Sequence, residues 1–198
     1  LSGWNCSDPL LDPMCGSGTI PIEAALMANN IPPGKFRSSF GFSRWKDFDS
    51  QLFGRIKHEA DSGIVKSSAI ITASDISASA VRLTGANLEK AGLAGQVSLE
   101  VSDFMNVKPE FSNGYVFMNP PYGQRIQPED ISGIYGMIGS TLKHKFPGNK
   151  AWIITSDKEH LKNIGLKPVA KYKLYNGAIE CTLAGYELFE GSLKKTRE

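Results

Sequence analysis

Apolar residues gather in short runs separated by stretches of helical period. Leu10-Leu11, Ala69 to Thr72, Val97 to Val101, Tyr115 to Met118 and Ala151 to Thr155 read as strands, on length and on their β-branched and aromatic content. Pro21 to Asn29 predicts a helix, because a first turn tolerates proline, whose missing N–H has no partner to lose there. Ser77 predicts the cap of a second helix in which Val81, Thr84, Leu88 and Ala91 share a face, with Gly92 ending it. Ile131, Ile134, Tyr135, Ile138 and Leu142 recur at the helical period ahead of Pro147-Gly148.

Strands alternating with helices require right-handed crossovers, so the pattern predicts a doubly wound, Rossmann-like α/β sheet that is mostly parallel. Pro168 to Tyr175 and Ala178 to Phe189 flank Asn176-Gly177, the dipeptide best suited to the positive φ angles of a tight turn. The sheet should therefore end in a C-terminal antiparallel hairpin. Residues 30–68 fit less well: Pro32-Pro33-Gly34, Phe36, Phe40, Phe42 and Trp45 precede an amphipathic stretch from Leu52 to Ala60. This segment is expected to be an insertion near the site, covering it.

A chain of 198 residues, 41% hydrophobic, is one domain by size and needs no disulfide or metal to bury a core. Residues 1–198 are therefore read as one catalytic domain. No run approaches a membrane span and no secretory signal starts the chain, which predicts a cytoplasmic protein with no membrane partner. Cys6, Cys15 and Cys181 have neither zinc nor disulfide spacing and read as reduced thiols. His58, His144 and His160 are scattered, so they read as surface residues and no metal is expected. A net charge of +2 neither requires nor excludes nucleic acid. Leu10-Leu11 reads as a buried strand with no helix ahead of it to cover it, so a fragment of a longer protein is expected. Lys194 to Glu198 reads as a solvated tail.

Chemistry concentrates at predicted strand ends, where open α/β sheets bind nucleotide-like ligands. Asp12-Pro13-Met14-Cys15-Gly16-Ser17-Gly18-Thr19 follows the first strand. Its two glycines let the backbone turn sharply and admit a ligand against bare main chain, while the helix beyond offers N–H groups to an anion such as a carboxylate. A dinucleotide loop would need glycine where Pro21 stands, which disfavours a nicotinamide oxidoreductase. Asp12 could accept from a cofactor ammonium, directly or through water. Asp75, with Ile76 after it, ends the second strand where a carboxylate takes ribose hydroxyls. Asp103 ends the third and could accept from an adenine amino group, with Phe104 as apolar cover. Each of these acids also has a plain reading as a turn or helix-start residue.

The fourth strand runs into Asn119-Pro120-Pro121-Tyr122. Two prolines stiffen the turn and remove two N–H donors, leaving carbonyls as acceptors. The lone pair of a base amino nitrogen is delocalised into its ring. Acceptors from Asn119 and the Pro120 carbonyl could hold both amino hydrogens and turn that lone pair toward a methyl donor, which is positioning plus electrostatic catalysis. Tyr122 offers a flat face to a flipped base. Arg37, Arg44, Trp45 and Arg125 are candidates for phosphate or base contact, or an ordinary charged surface.

Together these residues resemble the class I amino-methyltransferases that use S-adenosylmethionine, and within them the RNA methylase family whose members usually carry an N-terminal THUMP RNA-binding domain. The narrower likeness rests on Leu11 to Thr19, Ile31-Pro32-Pro33-Gly34, Phe40-Gly41-Phe42 before Trp45, and Asn119-Pro120-Pro121-Tyr122-Gly123-Gln124-Arg125, and it spans nearly the whole chain. It implies methyl transfer to a base amino group, with guanine N2 of large-subunit ribosomal RNA as the substrate. Relatives act on tRNA, and members are also described as adenine-N6-specific DNA methylases, because the Asn-Pro-Pro-Tyr motif does not choose the base. A non-catalytic module that only binds S-adenosylmethionine is the reading from another class. The chain departs from that family pattern in lacking the RNA-binding domain and the helix expected before Leu10.

Overall fold

The computed structural model describes residues 1–121 and 128–190. Among these residues seven strands form one sheet: β1 (Leu10–Asp12), β2 (Ile71–Asp75), β3 (Ser98–Val101), β4 (Tyr115–Met118), β5 (Lys150–Thr155), β6 (Ala170–Asn176) and β7 (Ile179–Glu187). Their order is β3-β2-β1-β4-β5-β7-β6. The first five run parallel, and β7 lies antiparallel between β5 and β6. The doubly wound sheet with its C-terminal hairpin is thus as expected, although β2 lies two residues beyond the apolar run that announced it.

The alternation of the strands builds two cores. Leu10, Ile71, Ala73 and Val97 pack with Ala24, Ala25 and Leu88 from helices α1 (Thr19–Ala28) and α3 (Ala78–Lys90). Leu11, Val116, Met118 and Ile153 point the other way, onto Tyr135, Ile138, Leu142 and Phe146 at helix α4 (Pro128–Lys145) and its end. Among the described residues no helix is long and apolar enough to cross a membrane.

Residues 30–68 hold a 3-10 turn (Gly41–Arg44) and helix α2 (Ser50–Ser62), capped by the Asp49 carboxylate accepting from Gln51 and Leu52 N–H. Phe40, Phe42, Phe48 and Phe53 form a small ring cluster with centroids 5.1 to 5.9 Å apart. The segment is tied to the C-terminal end of α1: Val65 N–H donates to Asn29 C=O, Ser67 N–H to the Asn29 side chain, and Asn30 to Gly63 C=O. Since α1 starts at the C-terminal ends of the strands and runs back along the sheet, this anchorage lies at the opposite edge.

α4 is fixed against the 3-10 helix His160–Ile164 through Gly139, where a Cβ would lie 1.8 Å from the Ile164 carbonyl oxygen. Gly139→Ala must push the two segments apart. It is expected to cost about 1–3 kcal/mol or more and to lower the melting temperature by roughly 2–4 °C per kcal/mol, measured by calorimetry; an unchanged melting temperature would contradict this packing.

Candidate cofactor and reaction site

The turn after β1 enters α1 through Gly18, whose φ of 89° is left-handed and which supplies no side-chain cap. A Cβ at Gly18 would also meet Thr84 Cγ2 at 2.6 Å, so glycine is needed there twice over. Thr84, fully buried on α3, donates its hydroxyl to Gly16 C=O at 3.0 Å, and Asn87 donates to Ser17 C=O at 2.9 Å. Gly16 N–H donates to Asp75 Oδ2 at 2.9 Å, while Ser77 N–H donates to Oδ1 at 2.9 Å. The glycine loop is therefore strapped to the end of β2 and to α3. Thr84 had been legible only as a helix-face residue, and nothing in the sequence marked Asn87.

Beside this loop lies a cavity of about 460 Å³, within the roughly 300–1,000 Å³ of small-molecule sites. The described residues lining it are Pro13, Met14, Gly16, Asp75, Ile76, Asp103, Phe104, Asn119, Pro121, Ile134 and Met137. Four strand ends and α4 thus converge on one space. Gly16 has φ 55°, and a Cβ there would meet nothing within 4 Å, so bare backbone faces the cavity. Ile76, 72% exposed, lines it together with apolar Phe104, Ile134 and Met137. Asp103 accepts from Met105 N–H at 2.9 Å and caps the 3-10 helix Phe104–Asn106. Met14, Ile134 and Met137 were not anticipated as lining residues, because helical periodicity assigns apolar α4 positions to the core. A second cavity, beside β1, β2 and β3 with Thr72, Leu99 and Phe111 on its walls, holds none of the anticipated acids.

Some expected residues are placed otherwise. Cys15 turns away from the cavity into the core, its Sγ 3.6 Å from Thr84 Oγ1, and burial pushes its thiol up to about 11, so at neutral pH it is a filler and no thiolate. Ser17, Gly18 and Thr19 form the loop and first turn of α1 without lining the cavity. Asp12 is only 1% exposed beneath it, and its Oδ1 accepts from Met14 N–H at 3.1 Å. Pro120 is buried, while Asn119 and Pro121 are exposed to the cavity. Tyr122 and Arg125 lie outside the described residues.

None of residues 30–68 is among the described residues that line the cavity; the segment is anchored at the C-terminal end of α1, with Arg44 in its 3-10 turn and Trp45, 68% exposed, just after it. His160, read as a surface residue, is half-buried with Nδ1 2.6 Å from Asp157 Oδ2.

Strand order, helix placement and the cavity at the parallel strand ends define a Rossmann-like methyltransferase architecture. The profile of UPF0020, the RMKL-like methyltransferase domain, matches residues 1–185, and the chain belongs to this family. A Synechocystis protein, slr0064, that carries an RNA methyltransferase name is 36% identical over 191 residues, covering 96% of this chain and 50% of that protein. The ribosomal RNA large subunit methyltransferase K/L of Shewanella baltica is 37% identical over 200 residues, covering 98% of this chain and 28% of its own length. Among solved structures, SMU.472 in complex with SAH superposes with a TM-score of 0.84 at 31% identity, covering 98% of this chain and 51% of that one. The chain thus spans half or less of these relatives. It is a methyltransferase domain, and its cofactor is S-adenosylmethionine.

Burial raises the Asp12 carboxyl to about 7, against the Met14 hydrogen bond that lowers it and with the nearby Asp75 charge adding to the rise. A carboxyl whose folded pKa is raised contributes stability that is full below the unfolded value of 3.8 and is lost as pH climbs to about 7. The ceiling of this loss is about 4 kcal/mol. Ligand-free Asp12→Asn should therefore gain melting temperature relative to the parent chain between pH 5 and pH 8. Parallel melting curves across that range would contradict the desolvated carboxyl.

Proposed function

We propose that this chain transfers the methyl group of S-adenosylmethionine to an exocyclic amino group of an RNA base, guanine N2 of ribosomal RNA. The observation that carries the reading is that Asn119 and Pro121 share one cavity with Gly16, Asp75 and Asp103. The names of the Synechocystis and Shewanella relatives support RNA as the substrate class.

In this reading Asp75, whose oxygens have each one hydrogen bond inside the loop, keeps lone pairs for the ribose hydroxyls. Asp103 accepts from the adenine amino group, and Ile76 and Phe104 enclose the ring. The Gly16 backbone takes the methionine carboxylate, with Ser17 to Thr19 shaping the loop behind it, and Asp12 compensates its ammonium group, which also returns the buried carboxyl to its charged form. When bound, the cofactor supplies an electrophilic methyl on a sulfonium centre.

Asn119 Oδ1 and the Pro120 carbonyl accept the two amino hydrogens of the target base, and Tyr122 stacks on its ring. The nitrogen lone pair forms the new N–C bond as the S–C bond breaks, and the extra proton on nitrogen passes to water. No side-chain base is assigned, because an amino group whose lone pair has been alkylated is strongly acidic and would release its proton to water.

In the full-length protein, Asn119→Ala should lower methylation of ribosomal RNA by about 10²–10³-fold, the loss typical of one oriented polar group, with SAH affinity retained. Nucleoside mass analysis should show N2-methylguanosine. Wild-type turnover in the variant would sink the clamp, and N6-methyladenosine as the sole product would move the reaction to adenine.

A further inference from the structure

The strand register places the β6–β7 turn beside the reaction loop. Thr155 ends β5 opposite Thr182, yet β7 continues through Cys181, Glu180 and Ile179 to the Asn176-Gly177 turn. Three further residue pairs carry the hairpin about 10 Å past the end of β5, on the same edge as Asn119. Two strand spacings, again about 10 Å, separate β7 from β4.

The overhang carries a built arrangement. Lys173 is paired with Thr182, which faces Thr155, and Thr155 Oγ1 lies 2.6 Å from Tyr135 of α4, so Lys171, Lys173 and Tyr175 share the α4 face of the sheet. Tyr175 is 65% exposed, with the Lys173 ammonium 5.7 Å from its ring centroid. Glu180 sits between two cations: it pairs with Lys173 at 2.6 Å and with Lys158 from the loop after β5, and it accepts from the Tyr175 hydroxyl at 3.5 Å. The contacts with Lys158 first, then Lys173, hold its carboxyl down to about 2. Each ammonium has three donors and spends one on Glu180, leaving the others for a further anion. Between Ser156 and Glu180 lysines outnumber acids five to three.

We infer that the β6–β7 hairpin holds the single-stranded RNA next to the target base, with Tyr175 stacking on a flanking base and Lys173 and Lys158 contacting its phosphates. This rests on the proposed RNA substrate. Exposed aromatic faces among cations are the means by which sequence-tolerant single-strand binding is achieved. Glu180 is a positioning residue, holding both lysines beside the ring. The near-neutral charge of the whole chain leaves this edge as a local cationic contact rather than a diffuse field.

The test is titration of a fluorescein-labelled single-stranded RNA nonamer, followed by anisotropy at several salt concentrations, with the parent chain, Tyr175→Ala, Tyr175→Phe and Lys173→Ala. Tyr175→Ala should weaken binding by about tenfold and Tyr175→Phe by less than about twofold, since the ring remains. Lys173→Ala should reduce the slope of log affinity against log salt by about 0.7, one phosphate contact. SAH affinity and melting temperature report that each variant is folded. Equal RNA affinity in all four proteins, or none in the parent, overturns the hairpin as a docking element. Binding that depends on Tyr175 without any methylated product would overturn the proposed reaction and leave the hairpin standing; methylation with unaltered KM for RNA in the variants would do the reverse.

Discussion

One oxygen of the Asp75 carboxylate accepts from Gly16 N–H and the other from Ser77 N–H, so a single side chain joins the turn after β1 to the start of α3. Everything else at the site is arranged around that bridge. Thr84, one helix face further on, closes the other side of the loop by donating to Gly16 C=O and by filling the space that a side chain at Gly18 would need. The loop is therefore pre-shaped, and a ligand lying on Gly16 meets backbone already fixed in a left-handed conformation. That arrangement lowers the ordering entropy lost on binding.

The same pre-shaping explains the uneven charge beneath the cavity. Asp12 is buried under it with its carboxyl raised to about 7, an environment that a cationic ligand group relieves. Asp75 instead stands at the cavity wall, where two N–H donors hold its oxygens. The two carboxylates thus differ in role through their surroundings alone, one as structural bridge and one as a group whose charge awaits compensation.

Much of this was legible in the sequence. Strand alternation, the Ser77 cap and Asn176-Gly177 each act locally, so the doubly wound sheet and its closing hairpin could be read from short stretches. The strand-end acids were legible because their positions follow from the same alternation. The filler role of Cys15 was legible in the glycine loop, but not that contact with Thr84, 69 residues away, turns it from the cavity, and Thr84 and Asn87 look like ordinary helix residues until α3 is packed beside the loop. For residues 30–68, aromatic content says that a cluster forms, but the Asn29 anchor, which is tertiary, says where the segment is tied. The reach of the β6–β7 hairpin past β5 depends on register, which no local pattern prints.

The central claim is that the loop bridged by Asp75 is the seat of S-adenosylmethionine in this domain. Calorimetric titration with SAH of the parent chain and of Asp75→Ala tests it most directly. The account predicts one site per chain and a loss of affinity of about a hundredfold or more in the variant, since two loop hydrogen bonds and the ribose acceptor, each worth roughly 1 kcal/mol or more, go together. SAH binding by a folded Asp75→Ala chain with the parent affinity would contradict it.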